Sequence, residues 1–374
     1  MRLSFFICCL LLVLAGASAS AQKFNAEDPR SLQELPQIFY KQGDTVIKWI
    51  EAGALLEISS QQTADFAQRV IQLEGRFGVP LRAALQYGKG TAPKQAVRKF
   101  EGVQKWLAIS DIHGQYGLMV ELLRKHGVLD EDLNWAFGRG HLVINGDILD
   151  RGEGATEGLW LAFKLQQQAA AAGGRVHYNM GNHELMVLDN DLRYIHEKYK
   201  VAAEVLGETY HAQFSTGAFF GQWLRQQSVM FQINETGFVH AGISPELVKM
   251  GLKPEDINRI FADSIFTQAK DEYRKSEQLK FLATTNGPVW YRGYFNDEPL
   301  AEADLQAIFG WWGIERMVIG HTSQRQIVPL FDGRIFAIDS SIKNGRNGEV
   351  LIYNHGVFFR GLLDGSRVAA EAGD

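Results

Sequence analysis

The feature that most constrains this chain is a recurrence: five times, a short apolar run stops abruptly at Gly, Asp, Asn or His. Residues 106–110 precede Asp111-Ile112-His113-Gly114, residues 142–145 precede Gly146-Asp147, and residues 176–180 precede Gly181-Asn182-His183-Glu184. Residues 237–239 precede His240-Ala241-Gly242, and residues 317–319 precede Gly320-His321. Runs this short and this apolar read as buried strands. Helical stretches follow the first three, at 116–126, 157–172 and from 184 onward, so the expected class is α/β. Open α/β sheets bind ligands at the carboxyl ends of their strands, where these polar residues fall. Residues 334–339, 349–354 and 357–360 differ, and read as antiparallel strands joined by Gly-rich turns.

Asp111, His113, Asp147, Asn182, His240 and His321 form an oxygen and nitrogen donor set without sulfur, which suits Mn, Fe or Zn. Asp111 and His113 stand two apart at a strand end, so both side chains bend toward one ion while Ile112 points into the core. Asp147, arriving from a neighbouring strand, is placed to bridge two ions, and Asn182, His240 and His321 complete the second. Two ions a few ångströms apart clamp a phosphate, acidify a bridging water and stabilise the charge of the transition state. Any one of these residues has an ordinary alternative as a helix cap or turn residue. Five strand ends carrying the set in order point to one shared site.

The first residues read as an address. Arg2 is followed by an apolar run over 3–14 and small residues over 15–21, the order of a secretory signal peptide. Ala19-Ser20-Ala21 places the expected mature start at Gln22, and the run is too short for a stable bilayer anchor. Both cysteines, Cys8 and Cys9, would leave with it, which excludes cysteine nucleophiles and Cys-based zinc sites from the mature chain. An exported protein, periplasmic or secreted, is the expectation. The net charge of -5 offers no basic face for nucleic acid. Residues 23–104 show helical periodicity, as in 31–40 and 63–77, and read as a helical layer without chemistry. The expected organisation is a signal peptide at 1–21, a helical extension at 22–104, a catalytic domain at 105–362 and a tail at 363–374 with a frayed end.

Asp111-x-His113-Gly114, Gly146-Asp147-x-x-Asp150-Arg151-Gly152, Gly181-Asn182-His183-Glu184, His240-Ala-Gly242 and Gly320-His321 together resemble the calcineurin-like metallophosphoesterases. The second and third blocks resemble the phosphoprotein phosphatase group within them. The leader, the long N-terminal extension and Gly287-Pro-Val-Trp-Tyr-Arg-Gly293 are similar to the Shewanella-like phosphatases, the cold-active protein tyrosine phosphatase type. The resemblance implies a β-sandwich of two mixed sheets flanked by helices. It assigns Asp111, His113 and Asp147 to one ion, and Asp147, Asn182, His240 and His321 to the other. It makes His183 the general acid, with Asp150 orienting its imidazole beside it. Arg151, Arg292 and Asn182 would grip the phosphoryl oxygens, a task suited to the planar guanidinium fork.

Ala241 departs from the pattern, since phosphoprotein phosphatases commonly carry a second glycine after that histidine. Residues 185–238 and 245–315 also lack agreement with the eukaryotic Ser/Thr enzymes. The first segment holds Tyr194, Tyr199, Tyr210, Phe214, Phe219, Phe220 and Trp223, and the second holds Trp290, Tyr291, Tyr294, Phe295, Trp311 and Trp312. These rings sandwich a substrate or build a core, and core is the commoner use. The resembled branch tends to act on phosphotyrosine. The substrate class is therefore a phosphorylated protein or peptide, or a small phosphate ester. The alternatives are a nucleotide or dinucleoside-polyphosphate hydrolase on the same metal core, and a non-catalytic phosphate- or metal-binding relative, which would have little need for His183 beside Asp150. His126, His141, His177, His196, His211 and His355 lack a strand-end setting and read as structural or surface residues.

Overall fold

A computed structural model describes residues 23–87, 99–296 and 300–370. The expected leader, with both cysteines, lies outside the described residues. The chain opens with three strands, β1 (Glu34–Lys41), β2 (Asp44–Glu51) and β3 (Ala54–Ser59), forming an antiparallel sheet of their own. The helical expectation for residues 31–40 is thus corrected. The missed signal is turn chemistry. Gln42-Gly43 and Ala52-Gly53 are two-residue hairpin loops with every φ positive, and each closes a register fixed by Lys41↔Asp44 or Glu51↔Ala54. The helix expected over 63–77 forms as α1 (Phe66–Phe77), ending at Gly78 in the left-handed conformation, and α2 (Leu81–Ala84) follows it.

The body is a sandwich of two mixed sheets. After the edge strand β4 (Lys99–Phe100), β5 (Lys105–Ile109) leads through α3 (Tyr116–Lys125) to β6 (His141–Ile144). From β6 the chain runs through α4 (Ala155–Ala171) to β7 (Arg175–Tyr178). Next come α5 (Asn182–Leu188), α6 (Glu197–Leu206), α7 (Phe219–Leu224), β8 (Met230–Ile233) and β9 (Thr236–Val239). Four short helices, α8 (Pro245–Lys249), α9 (Pro254–Ile260), α10 (Lys270–Tyr273) and α11 (Glu277–Leu282), precede α12 (Glu302–Trp312). The chain closes with β10 (Arg316–Ile319), β11 (Val328–Leu330), β12 (Ile335–Ala337), β13 (Val350–Asn354), β14 (Val357–Gly361) and β15 (Arg367–Ala369). One sheet has the order β15-β14-β13-β5-β6-β7 and the other β11-β12-β10-β9-β8-β4.

Strands β5, β6 and β7 run parallel, as do β9, β10 and β12, so the five strand ends singled out above share one edge of the sandwich. Their near-continuous apolar character follows from burial on both faces. Trp106 and Ala108 of β5 face the second sheet, meeting Phe238, Val318 and Phe336, while Leu107 and Ile109 face α3 and α4 with Met119, Leu122 and Leu159. Segment 334–339 contains β12, which pairs parallel with β10 and antiparallel with β11, so it is only half antiparallel. The frayed end expected over Ala369–Asp374 is corrected for Ala369 and Ala370, while residues 371–374 lie outside the described residues. Strand β15 pairs with β14, and Ala370 is buried against the inter-sheet core, because an edge strand with an open ladder accepts one more partner.

Buried charge ties the N-terminal sheet to the body. Glu34 accepts from Thr156 Oγ1 at 2.6 Å, and its other oxygen lies 3.2 Å from Lys198 Nζ, which also reaches Glu157 at 3.1 Å. Among the described residues, no helix is long and apolar enough to cross a membrane.

Candidate dimetal site

Three of the five strand-end loops, those after β5, β6 and β10, turn their polar side chains inward through an unusual backbone. Asp111, His113, Asp147, Asp150, Arg151 and His321 all adopt positive φ, between 47° and 70°. For residues other than glycine this conformation costs on the order of 1–3 kcal/mol each and persists only where the surroundings enforce it. The enforcement here is cross-bracing between loops. Asp111 N donates to Gly146 O at 3.1 Å, His113 N to Asp147 O at 2.9 Å, Gly152 N to His113 O at 2.9 Å and Gly320 N to His240 O at 2.6 Å. Gly146 is required by this crowding as well as by its φ of +90°, since a Cβ there would stand 2.6 Å from His240 Nδ1. Ala241 adopts no left-handed backbone and so needs no glycine, whereas Gly242 lies against the Tyr294 ring.

Donor atoms converge at two points. His113, Asp147 and His183 present atoms within 4.8 Å of one another, and so do Asp147, His240 and His321, making Asp147 the shared carboxylate. Asp147 Oδ2 lies 3.6 Å from His113 Nε2 and 3.3 Å from His240 Nε2. Asn182 Oδ1 closes the second group, 3.1 Å from His240 Nε2 and 2.7 Å from His321 Nδ1. Asp111 joins the first through Oδ1, 3.9 Å from His113 Nε2, while its Oδ2 accepts from Ser110 Oγ and the backbone of His321. The six residues expected as metal ligands are all buried and all meet here.

Second partners fix the imidazoles. His113 Nδ1 donates to Leu149 O at 2.9 Å and His240 Nδ1 to Asn145 O at 2.7 Å, so each turns Nε2 toward Asp147. Burial drives the His113 imidazole down to about 3, against the pull of Asp147. Burial opposes charge on His240 too, but Asp147 outweighs it and lifts the imidazole to about 10. Burial pushes the Asp111 carboxyl well up, and Asp339 and Asp147 push it further. Burial opposes the charge on Asp147 too, but His240 outweighs it and holds that carboxyl well down, so it is Asp111 that needs further cationic charge beside it to stay ionised, which is what metal ions provide. The donors fit such ions: oxygen and nitrogen only, with His321 Nε2 a buried ring nitrogen without a hydrogen-bond partner.

His183 stands at the mouth of the first group. Its Nδ1 donates to Asp150 Oδ2 at 2.5 Å, fixing the ring and leaving Nε2 to the cleft, 3.4 Å from Arg151. Burial pushes the Asp150 carboxyl up, and the hydrogen bond from His183 works against that. Arg292, exposed on the rim, donates to His321 O at 2.9 Å and to Thr322 Oγ1 at 3.1 Å, beside the second group.

Two features escape the sequence reading. Glu184 belongs to a motif but carried no expected role, and in the structure it is a buried carboxylate accepting five hydrogen bonds. They come from the backbone of Asp147, Ile148, Leu149 and Gly181 and from Tyr178 Oη, all within 3.2 Å. It moulds the loop that presents Asp147. Of the aromatic residues, Tyr199, Tyr210, Phe214, Phe219, Phe220 and Trp223 are core, but Tyr194 is 44% exposed and its ring lies 5.4 Å from that of His183. Arg151 and Arg193 flank Tyr194 at 5.3 Å and 5.6 Å, and Trp290 meets His321 edge-on at 5.9 Å. A cleft of about 180 Å³ runs between Trp290, Met186, Asp189, Arg193 and Lys270.

A buried shared carboxylate between two nitrogen-rich donor groups, with an oriented histidine beside them, makes a candidate site for two metal ions on a mixed β-sandwich. Residues 105–325 match the calcineurin-like phosphoesterases, and the chain belongs to that family. An uncharacterised protein of Schizosaccharomyces pombe is 32% identical over 252 residues, covering 65% of this chain and 74% of the relative. Shewanella-like protein phosphatase 2 of Arabidopsis thaliana is 24% identical over 272 residues, 60% of this chain and 68% of its own. The crystal structure of a cold-active protein-tyrosine phosphatase from a psychrophilic Shewanella species superposes with a TM-score of 0.77 at 34% identity, covering 90% of this chain and 98% of that one. The chain is a metal-dependent phosphatase with Shewanella-like protein phosphatase relatives.

Proposed function

We propose that the protein is a phosphomonoesterase acting on phosphotyrosine in proteins or peptides, with His183 as general acid. When bound, the two ions supply an activated water and neutralise charge on the phosphoryl group. Arg151, Arg292 and Asn182 hold the phosphoryl oxygens toward the metal groups. As the water oxygen bonds to phosphorus and the ester P–O bond breaks, the proton on His183 Nε2 passes to the leaving oxygen. Asp150 keeps the ring in line through Nδ1.

The observation that carries the tyrosine preference is Tyr194. Its exposed ring beside His183, flanked by two guanidinium groups, offers an aromatic face where the leaving group must sit. The phosphotyrosine activity named for the Shewanella relative, 34% identical over 90% of this chain, supports the same reading. The test compares phosphotyrosine peptides, phosphoserine peptides and dinucleoside polyphosphates on one Mn²⁺-loaded preparation. The expected order is phosphotyrosine first, with Tyr194→Ala reducing that preference by about 2–12-fold, the worth of one aromatic pair. His183→Asn is expected to lower phosphotyrosine turnover by about 10²–10⁴-fold at unchanged metal content. A preference for dinucleoside polyphosphates, or full activity in His183→Asn, contradicts the reading.

Export rests on the leader pattern at 1–21, and the start of the catalytic domain near residue 105 on the motif boundaries, with β15 carrying that domain past 362 to Ala370. N-terminal sequencing of protein recovered from an exported fraction tests the first, with Gln22 as the expected start.

A further inference from the structure

A second cavity, of about 320 Å³, lies at the opposite end of the elements that build the metal site. Lys105, His126, Asn354 and Arg367 line it with Leu107 and Phe137. Lys105 opens β5, which ends just before Asp111, and His126 follows the end of α3, which begins just after Gly114. The cavity therefore stands about 15–17 Å from the loop of Asp111 and His113, the length of a ten-residue helix or a five-residue strand.

Its polar groups ask for an anion. Among the described residues no carboxylate lines it, and none lies within ion-pair distance of Lys105 or Arg367. The Lys105 ammonium sits 4.0 Å above the Phe137 ring. Burial, and then the charge of Arg367, push Lys105 below its ordinary range. The deepest polar lining residue is His126, 3% exposed. Its Nε2 donates to Leu362 O at 2.9 Å, which leaves Nδ1 as a buried acceptor without a partner. The site thus offers two cations that want acceptors, beside the apolar Leu107 and Phe137, with an unpartnered nitrogen buried within the lining residue His126. A phosphate meets both cations at once, with separate charged oxygens for Lys105 and Arg367.

We propose that this cavity is a second phosphate-binding site, distinct from the dimetal centre, taking inorganic phosphate or a small phosphomonoester. Its volume is at the lower end of small-molecule sites, so any organic part is compact and packs on Leu107 and Phe137. Ligand here touches the far ends of β5 and α3, whose near ends flank Asp111 and His113.

The test is calorimetric titration of the metal-loaded protein with inorganic phosphate and, separately, with non-hydrolysable phenylphosphonate. Wild type is expected to bind phosphate with two sites per chain, and Lys105→Gln/Arg367→Gln with one, while p-nitrophenyl phosphate turnover stays within about twofold and the thermal midpoint is unchanged. Arg367→Gln alone, at an exposed edge-strand position, is expected to weaken the second site by about 10–150-fold, the worth of one charged hydrogen bond. Phenylphosphonate binding at both sites assigns the cavity to organic phosphates, and binding only at the metal centre assigns it to the free ion. Equal phosphate stoichiometry in wild type and the double variant overturns the proposal.

Discussion

Glu184→Gln isolates the support of the site from its ligands. In the wild type, Glu184 Oε2 accepts from Asp147 N and Gly181 N, both at 2.8 Å. Oε1 accepts from Ile148 N at 2.9 Å, Leu149 N at 3.2 Å and Tyr178 Oη at 2.9 Å. Glutamine replaces one oxygen with an NH₂ group that has nothing to accept with. Keeping the amide oxygen on the side of three donors leaves Asp147 N and Gly181 N buried without an acceptor. Each such orphan costs about 1–3 kcal/mol, so the expected loss of stability is about 2–6 kcal/mol. The loss falls on the loop that carries the shared carboxylate, and removing this kind of support lowers metal affinity by about 10–100-fold. Urea unfolding of chelated protein reads the first effect and Mn²⁺ titration of folded protein the second. A variant that matches wild type in both measurements refutes the reasoning.

Lys198→Met leaves Glu34 and Glu157 facing each other in the interior without their cation. Unfolding free energy is expected to drop by about 3–5 kcal/mol in urea titration, and an unchanged midpoint contradicts the buried-network reading. Hydrogen bonds from Arg334 and then Gln306 hold the Glu302 carboxyl down to about 2, below its ordinary 4.5. A depressed carboxyl stabilises the fold above its unfolded value and loses that contribution as pH falls through the folded one. Wild type should therefore melt slightly higher than Glu302→Gln at neutral pH, with the difference shrinking between pH 4.5 and about 2. A difference independent of pH counts against this.

The metal site was legible because its signal is local. A strand buried on both faces must be apolar, so an abrupt Asp, Asn or His at its end is conspicuous, and parallel strands carry those ends to one edge. The support for the site was not legible. Glu184 acts on backbone amides of the loop after the neighbouring strand, 35–37 residues back in sequence, and no spacing marks a carboxylate that binds main chain. Tyr194 shares its residue type with Tyr199 and Tyr210, and only tertiary placement separates the exposed ring from the buried ones. Residues 31–40 read as helix because β1 is buried on most of both faces, which hides the two-residue alternation. The glycines of Gln42-Gly43 and Ala52-Gly53, each closing a two-residue loop, were the better clue. The last strand escaped because three residues at a sheet edge carry too little pattern to register.

The most direct test of the dimetal account is p-nitrophenyl phosphate turnover measured while Mn²⁺ is titrated into chelator-treated protein. The two donor groups sharing Asp147 predict no turnover without metal and saturation only near two equivalents per chain. Asp147→Asn is predicted to stay inactive throughout. Full turnover in chelator, saturation at one equivalent, or an active Asp147→Asn contradicts it.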